Sequence, residues 1–177
     1  MSGVRYFAYG SNLLRERLLA RCPGLVFSGL ATLTAHRLTF DKASTDGSGK
    51  CAFEPADASE VLGVLWDVPD TELAKLDRAE GVGYGYERCQ VTVQQADRES
   101  EVLTYQTTNR QAGLQPYDWY LALVLAGAEQ QGMPPEYIDR LRTTPFRFDP
   151  DTNRRTRCTA LAALEEAGMM EVLHGLA

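Results

Sequence analysis

The spacing of apolar positions changes period several times along this chain, and each change marks an element. Residues 5–9 are rich in aromatic side chains, which suits a strand, and Gly10-Ser11-Asn12 breaks it. Leu13, Leu14, Arg17 and Leu18 then follow helical spacing, with Ser11 or Asn12 placed as a cap, and Pro23-Gly24 ends that helix. Residues 26–33 and 37–41 read as two strands, 44–50 as a Gly/Ser loop, and 61–68 as a continuous apolar run fit for a central strand. Pro69-Asp70 opens a helix with Leu73, Leu76 and Ala79 as its stripe, Asp70 as cap and Glu80-Gly81 as its frayed end. Period-two alternation returns at 87–95 and 101–108, paired through a polar turn at 96–100. Helices are expected at 117–131, 135–142 and 159–167.

Strands and helices therefore mix without a steady βαβ alternation. The expected class is a mixed α+β domain with a curved or partly closed sheet and helices around it. No internal repeat, low-complexity tract or linker interrupts the 177 residues, a length that suits one core.

Composition narrows the function. A net charge of −6 argues against nucleic-acid binding, which needs a concentrated basic surface. The short cluster Arg154-Arg155-Thr156-Arg157 reads as a solvated helix start balancing the acidic residues before it. The N-terminus lacks the apolar run of a signal peptide, and the longest apolar stretch, 120–128, is far below the ~20 residues of a membrane span. Cys22, Cys51, Cys89 and Cys158 stand apart, as reduced structural thiols do. The expectation is a cytoplasmic protein with no membrane partner.

Several chemistries fail on inventory. His36 and His174 are far apart and lack ligand spacing, so no metal is expected. Ser11 is outside a G-x-S-x-G elbow. Gly81, Gly83 and Gly85 follow a helix rather than a strand, so a flexible connection is the better reading than a phosphate loop. Two places remain. At Gly10-Ser11-Asn12 a strand gives way to a helix, and the first N–H groups there suit a carboxylate or an oxyanion; the plainer alternative is a turn whose Asn caps. At Glu80 a carboxylate falls at a helix C-terminus beside glycines, where burial and the dipole both raise its pKa towards that of a neutral-pH base. Its plainer alternative is a solvated Glu paired with Lys75 or Arg78. Asp77 is the competing carboxylate, or holds the following loop by hydrogen bonds.

At these residues the sequence resembles the γ-glutamylcyclotransferase family. The likeness begins with YFAYGSNL at 6–13 and runs through VLGVLWDV at 61–68 and LDRAEGV at 76–82. It continues with LTYQTTN at 103–109 and the stretch YLALVLAGAEQQGMPPEYIDRL at 120–141. The order and spacing of these five segments carry the likeness; YGSN alone would be less specific. It implies a small mixed, partly closed β-barrel with flanking helices over 1–145. The stretch after Phe146 carries no such likeness, and 146–177 is expected to be a C-terminal helical extension packing on the same domain. The likeness further implies Glu80 as the acid/base and a γ-glutamyl-binding loop of Tyr6, Phe7, Ala8, Tyr9, Gly10, Ser11 and Asn12. Two more pocket tyrosines are implied: Tyr86, whose position depends on the length of GVGYGY, and Tyr120, which alignment on Gly127-Ala128 favours over Tyr117.

The implied reaction is cyclisation of a small γ-glutamyl substrate to 5-oxoproline, without a cofactor, within glutathione metabolism, by a protein that is often a homodimer. Relatives that act on γ-glutamylamines or deprotect antibiotic intermediates define an alternative substrate class. A non-catalytic γ-glutamyl-binding module is the alternative from outside enzymology.

Overall fold

A computed structural model describes residues 3–176. Five strands, β1 (Gly3–Ala8), β2 (Val26–Ala43), β3 (Gly49–Pro69), β4 (Tyr86–Gln95) and β5 (Arg98–Thr107), form a closed barrel in the order β1-β3-β2-β4-β5. The expected partial closure is completed by narrow seams: β1 meets β5 in parallel at Tyr6–Leu103, and β2 meets β4 at Thr32–Gln94. The other ladders are antiparallel and long, above all β2 against β3.

That hairpin departs from the sequence expectation. The two strands expected at 26–33 and 37–41 are one strand, kinked rather than ended at Thr34–His36, where Ala35 takes a φ of 54°. β3 begins twelve residues before the apolar run at 61–68, because the ladder resumes beyond the irregularity, with Pro55 opposite His36 and Glu54 opposite Arg37. A bulge is where a ladder tolerates the missing proline donor.

Six helices flank the barrel. A 3₁₀ turn at Ser11–Leu13 leads into α1 (Arg15–Leu19), and α2 (Asp70–Glu80) follows β3 directly. Asp70 is the first residue of α2 and Pro69 its cap position, one residue earlier than expected. The long α3 (Asp118–Gln130) is apolar on nearly every side and buried over 118–128, the pattern of a helix inside a core rather than on it. α4 (Pro135–Arg142), α5 (Arg155–Glu166) and the unanticipated α6 (Met170–His174) complete the chain. α5 buries Ala160, Ala163 and Leu164 against the rest. Arg154 is not solvated as expected; it forms a fork with Asp149, which also accepts from the Trp119 indole at 2.9 Å. Cys22 and Cys51 are buried, whereas Cys158 is exposed; all four thiols are free.

Two glycines bring the layers together. A side chain on Gly127 of α3 would put its Cβ 2.4 Å from the Cβ of Leu13 and 2.5 Å from the Leu14 nitrogen. Gly63 of β3 leaves the same kind of room for the Phe7 ring, 2.4 Å from a hypothetical Cβ. The first contact presses the 10–13 turn onto α3, and the second seats β1 on β3.

Among the described residues no helix is long and apolar enough to cross a membrane.

Candidate active site

α2 ends where its sequence says it should. Gly81 adopts a left-handed φ of 71°, and the Val82 N–H returns to the Asp77 carbonyl at 3.0 Å, a glycine-dependent helix stop. Glu80 is therefore the last helical residue, at the negative end of the dipole. The residue keeps partial exposure along its stem while its carboxyl group is turned inward among protein groups. Oε1 accepts from the Asn12 amide at 2.5 Å and from the Tyr6 hydroxyl at 2.9 Å. No described residue bonds Oε2, which belongs to a residue lining a cavity of about 40 Å³. One carboxyl oxygen is therefore held by two donors, and the other has no bond to a described residue.

Burial is the main influence on this carboxyl and raises its pKa above the ordinary glutamate value. The Tyr6 bond, then the positive charges of Arg21 and Arg17, then the Asn12 bond work the other way. Tyr6, itself pushed well above its usual range by burial and by Glu80, stays protonated and remains a donor.

The remaining walls come from distant parts of the chain. Gly10 sits against Cys51 and Tyr120: a Cβ there would lie 3.0 Å from the Cys51 Cβ and 3.4 Å from the Tyr120 hydroxyl. The Cys51 backbone N–H donates to Tyr120 Oη at 3.1 Å, and the Tyr86 hydroxyl donates to the Cys51 carbonyl at 2.7 Å. Tyr9 donates to the Tyr105 carbonyl at 2.8 Å. Burial pushes the Cys51 thiol up to about 12, so it stays protonated and is a wall, not a nucleophile.

Of the residues expected from sequence, Tyr6, Tyr9, Gly10, Ser11, Asn12, Glu80, Tyr86 and Tyr120 all surround this one cavity. Phe7 and Ala8 do not. Both are fully buried in the β1–β3 ladder, opposite Leu65 and Val64, with the Phe7 ring spent on Gly63. Asn12 does not cap the following helix; its amide goes to Glu80 and lies 3.2 Å from Tyr6 Oη. Asp77 is the loop holder: it takes the Arg88 guanidinium in a fork and the Tyr105 hydroxyl at 2.8 Å, and these bonds keep its carboxyl below the ordinary range.

The sequence reading missed Cys51, Tyr105 and the cations. Arg17 is buried with its Nε donating to Ser11 Oγ at 3.1 Å, and Arg21 donates to the side-chain Oδ1 of Asn12 at 3.4 Å. An arginine on an otherwise apolar helical stripe was the available signal for Arg17. A larger hollow of about 770 Å³ lies between the β2–β3 kink and α4, but it contains none of these groups.

Comparison with known proteins gives a consistent set of relatives. Residues 60–141 match the AIG2-like family. A gamma-glutamylcyclotransferase of Bos taurus is 36% identical over 145 residues, covering 78% of this chain and 77% of that protein. Its namesake from Homo sapiens is 34% identical over 144 residues, covering 77% and 76%. A solved structure described as a gamma-glutamyl cyclotransferase superposes with a TM-score of 0.82 at 28% identity, covering 93% of this chain and 99% of that one.

Proposed function

The chain belongs to the gamma-glutamylcyclotransferase family, and we propose that it converts a γ-glutamyl amino acid or amine into 5-oxoproline and the free amino acid or amine. The observation that carries this is the state of Glu80: a desolvated carboxyl on a residue lining the cavity, with one oxygen pinned by Asn12 and Tyr6 and the other bonded to no described residue.

In this reading the substrate's α-amino nitrogen attacks its own γ-carbonyl carbon, forming the five-membered ring. The bond from that carbon to the leaving nitrogen breaks. Glu80 Oε2 takes a proton from the attacking nitrogen and returns it to the leaving one, so no net charge is gained or lost. Because both reacting groups belong to one molecule, the protein's main task is to hold a folded-back conformer, an effect worth ~7–11 kcal/mol. The first N–H groups of the Ser11–Leu13 turn lack partners within that turn and are available to the carbonyl oxygen or the α-carboxylate. Ser11, held by Arg17, fixes the turn beside them.

A cavity of about 40 Å³ has room for roughly two or three waters and not for a glutamyl group. In this reading binding displaces part of the wall. The segment 81–85 suits that movement, since Gly81, Gly83 and Gly85 all have positive φ and Tyr84 between them is exposed.

The test is product identity. Purified protein incubated with γ-glutamyl-alanine should release 5-oxoproline and alanine in equal amounts. Release of glutamate instead would make the protein a hydrolase, and absence of both products would sink the proposal.

A further inference from the structure

Lys42 and Lys50 face each other directly across the β2–β3 ladder, just beyond the Cys51 wall of the cavity. Like charges in that position repel, and the two lysines are treated very differently. Lys50 has a complete structural environment. Asp46 lies 3.0 Å from its ammonium, and the rings of Trp119 and Tyr120 lie 4.3 and 4.6 Å away. Ser48 and Lys50 in turn hold Asp46 down at about 2 despite burial, so this pair stays ionised.

Lys42 has no such partner. It is 8% exposed, yet no carboxylate lies within ion-pairing distance and no described residue accepts a hydrogen bond from it. Its ammonium rests 5.0 Å from the centre of the Tyr86 ring, and a Cβ on Gly85 would come within 3.1 Å of it. Tyr86 lines the Glu80 cavity, so this cation stands behind one tyrosine wall of the site, on the side of the 81–85 glycine segment. Burial lowers the pKa of this ammonium, and the charges of Asp46 and then Glu80, acting through space, work the other way. A buried cation without a bonded counter-ion is costly, and Arg17, Arg21, Lys42 and Lys50 gather here about the carboxylates Glu80 and Asp46.

The geometry points to Lys42 as a specificity-determining residue, whose ammonium takes a carboxylate borne by the leaving side of the substrate once the 81–85 segment yields. This rests on the cyclisation reading above and adds to it: the arginine side serves the glutamyl half, and Lys42 reads what is attached to the scissile nitrogen. A γ-glutamyl amino acid brings the missing anion, whereas a γ-glutamylamine leaves the lysine unpaired.

The experiment compares γ-glutamyl-alanine with γ-glutamyl-alanine amide, which differ only in that carboxylate, on wild-type protein and on Lys42→Met, which keeps the apolar stem. Wild-type protein should show a KM lower for the acid by roughly 10- to 100-fold, the range of a hydrogen bond to a charged group. Lys42→Met should raise the KM of the acid to that of the amide, leave kcat and the amide nearly unchanged, and melt no lower than wild type. Equal KM values for the two substrates on wild-type protein, or a preference that survives Lys42→Met, would overturn the assignment while leaving cyclisation intact. An equal loss on both substrates, or a lower melting temperature with loss of both, would make Lys42 a structural support of Tyr86 and overturn it too. No 5-oxoproline from either substrate on wild-type protein would remove the cyclisation reading and this one with it.

Discussion

Replacing Glu80 by Gln separates proton transfer from everything else the side chain does. The amide oxygen can still accept from Asn12 and Tyr6, at the positions where Oε1 now accepts at 2.5 and 2.9 Å. The change falls on Oε2, which becomes an NH₂ group that is not basic at any working pH. A positioned acid/base contributes typically 10²–10⁴-fold, so kcat should fall by about 10³-fold with KM little changed. Orientation of the substrate is untouched, and a residual rate above the uncatalysed reaction should persist.

The same substitution makes a stability prediction with a definite sign. Burial raises the Glu80 pKa in the folded state. As pH rises through the ordinary glutamate range the unfolded chain ionises first, and folding then carries the cost of a desolvated carboxylate. That cost is absent in acid, grows up to the folded pKa and is constant above it. Glu80→Gln should therefore melt higher than wild type at pH 7, by about 2–4 °C for each kcal/mol relieved, and equal to it near pH 3. Thermal unfolding at the two pH values, beside 5-oxoproline release, reads both effects. Turnover within tenfold of wild type would refute the proton-transfer role, and a lower melting point at pH 7 would refute the desolvation argument.

Tyr6→Phe removes the 2.9 Å donor that favours ionised Glu80. The acid limb of the kcat/KM profile should move to higher pH, with a loss of about tenfold or more on that limb, since a bond to a charged group is worth ~1.5–3 kcal/mol; an unmoved limb would count against that bond. Asp77→Asn should leave turnover near wild type and cost about 1 kcal/mol, a figure kept small because Arg88 is 44% exposed. The Asp77 pKa is depressed, so its contribution is present above the unfolded carboxylate pKa and fades as pH falls through the folded one. A turnover loss matching Glu80→Gln would shift the acid/base role to Asp77. Gly127→Ala forces a Cβ into Leu13 and Leu14 and should cost ~1–3 kcal/mol, lowering the melting point by about 2–10 °C; an unchanged melting point would mean the 10–13 turn is not clamped by α3.

What could be read without coordinates was local. The bounds of α4 follow from proline at its start and an amphipathic stripe, and they agree with the expected 135–142. The end of α2 follows from Gly81, where only a residue without a Cβ takes that φ cheaply. The first half of β3 was invisible because Glu54-Pro55-Ala56-Asp57 has little strand propensity of its own, and the strand is held there by pairing of Glu54 and Pro55 with β2. The kink at Ala35 looked like a break for the same reason. At the site, Glu80 and the YGSN loop were each visible as local oddities, but nothing local says that Asn12 turns away from its helix to meet a carboxylate 68 positions later. Lys42 gave no signal at all. Its burial depends on β4 and the glycine segment folding over it.

Placing a carboxyl group at this position takes three independent constraints, and the proposed proton transfer depends on all of them. The helix stop at Gly81 fixes where along α2 the acid falls. The barrel seam at Tyr6–Leu103 fixes Tyr6 beside it, so the hydroxyl bond is built into the sheet rather than into a flexible loop. The clamp of Gly127 on Leu13 fixes the turn that carries Asn12. Burial alone would leave the acid protonated and unable to accept from an ammonium group. Donors and arginines alone would leave it ionised and unable to protonate a leaving nitrogen. Arg17 and Arg21 act on the carboxyl through space, one bonded to Ser11 and the other reaching Asn12, so they temper the effect of burial without occupying Oε2. Opposed influences of this kind, acting on a carboxyl with one oxygen unbonded, are what the proposed proton carrier needs.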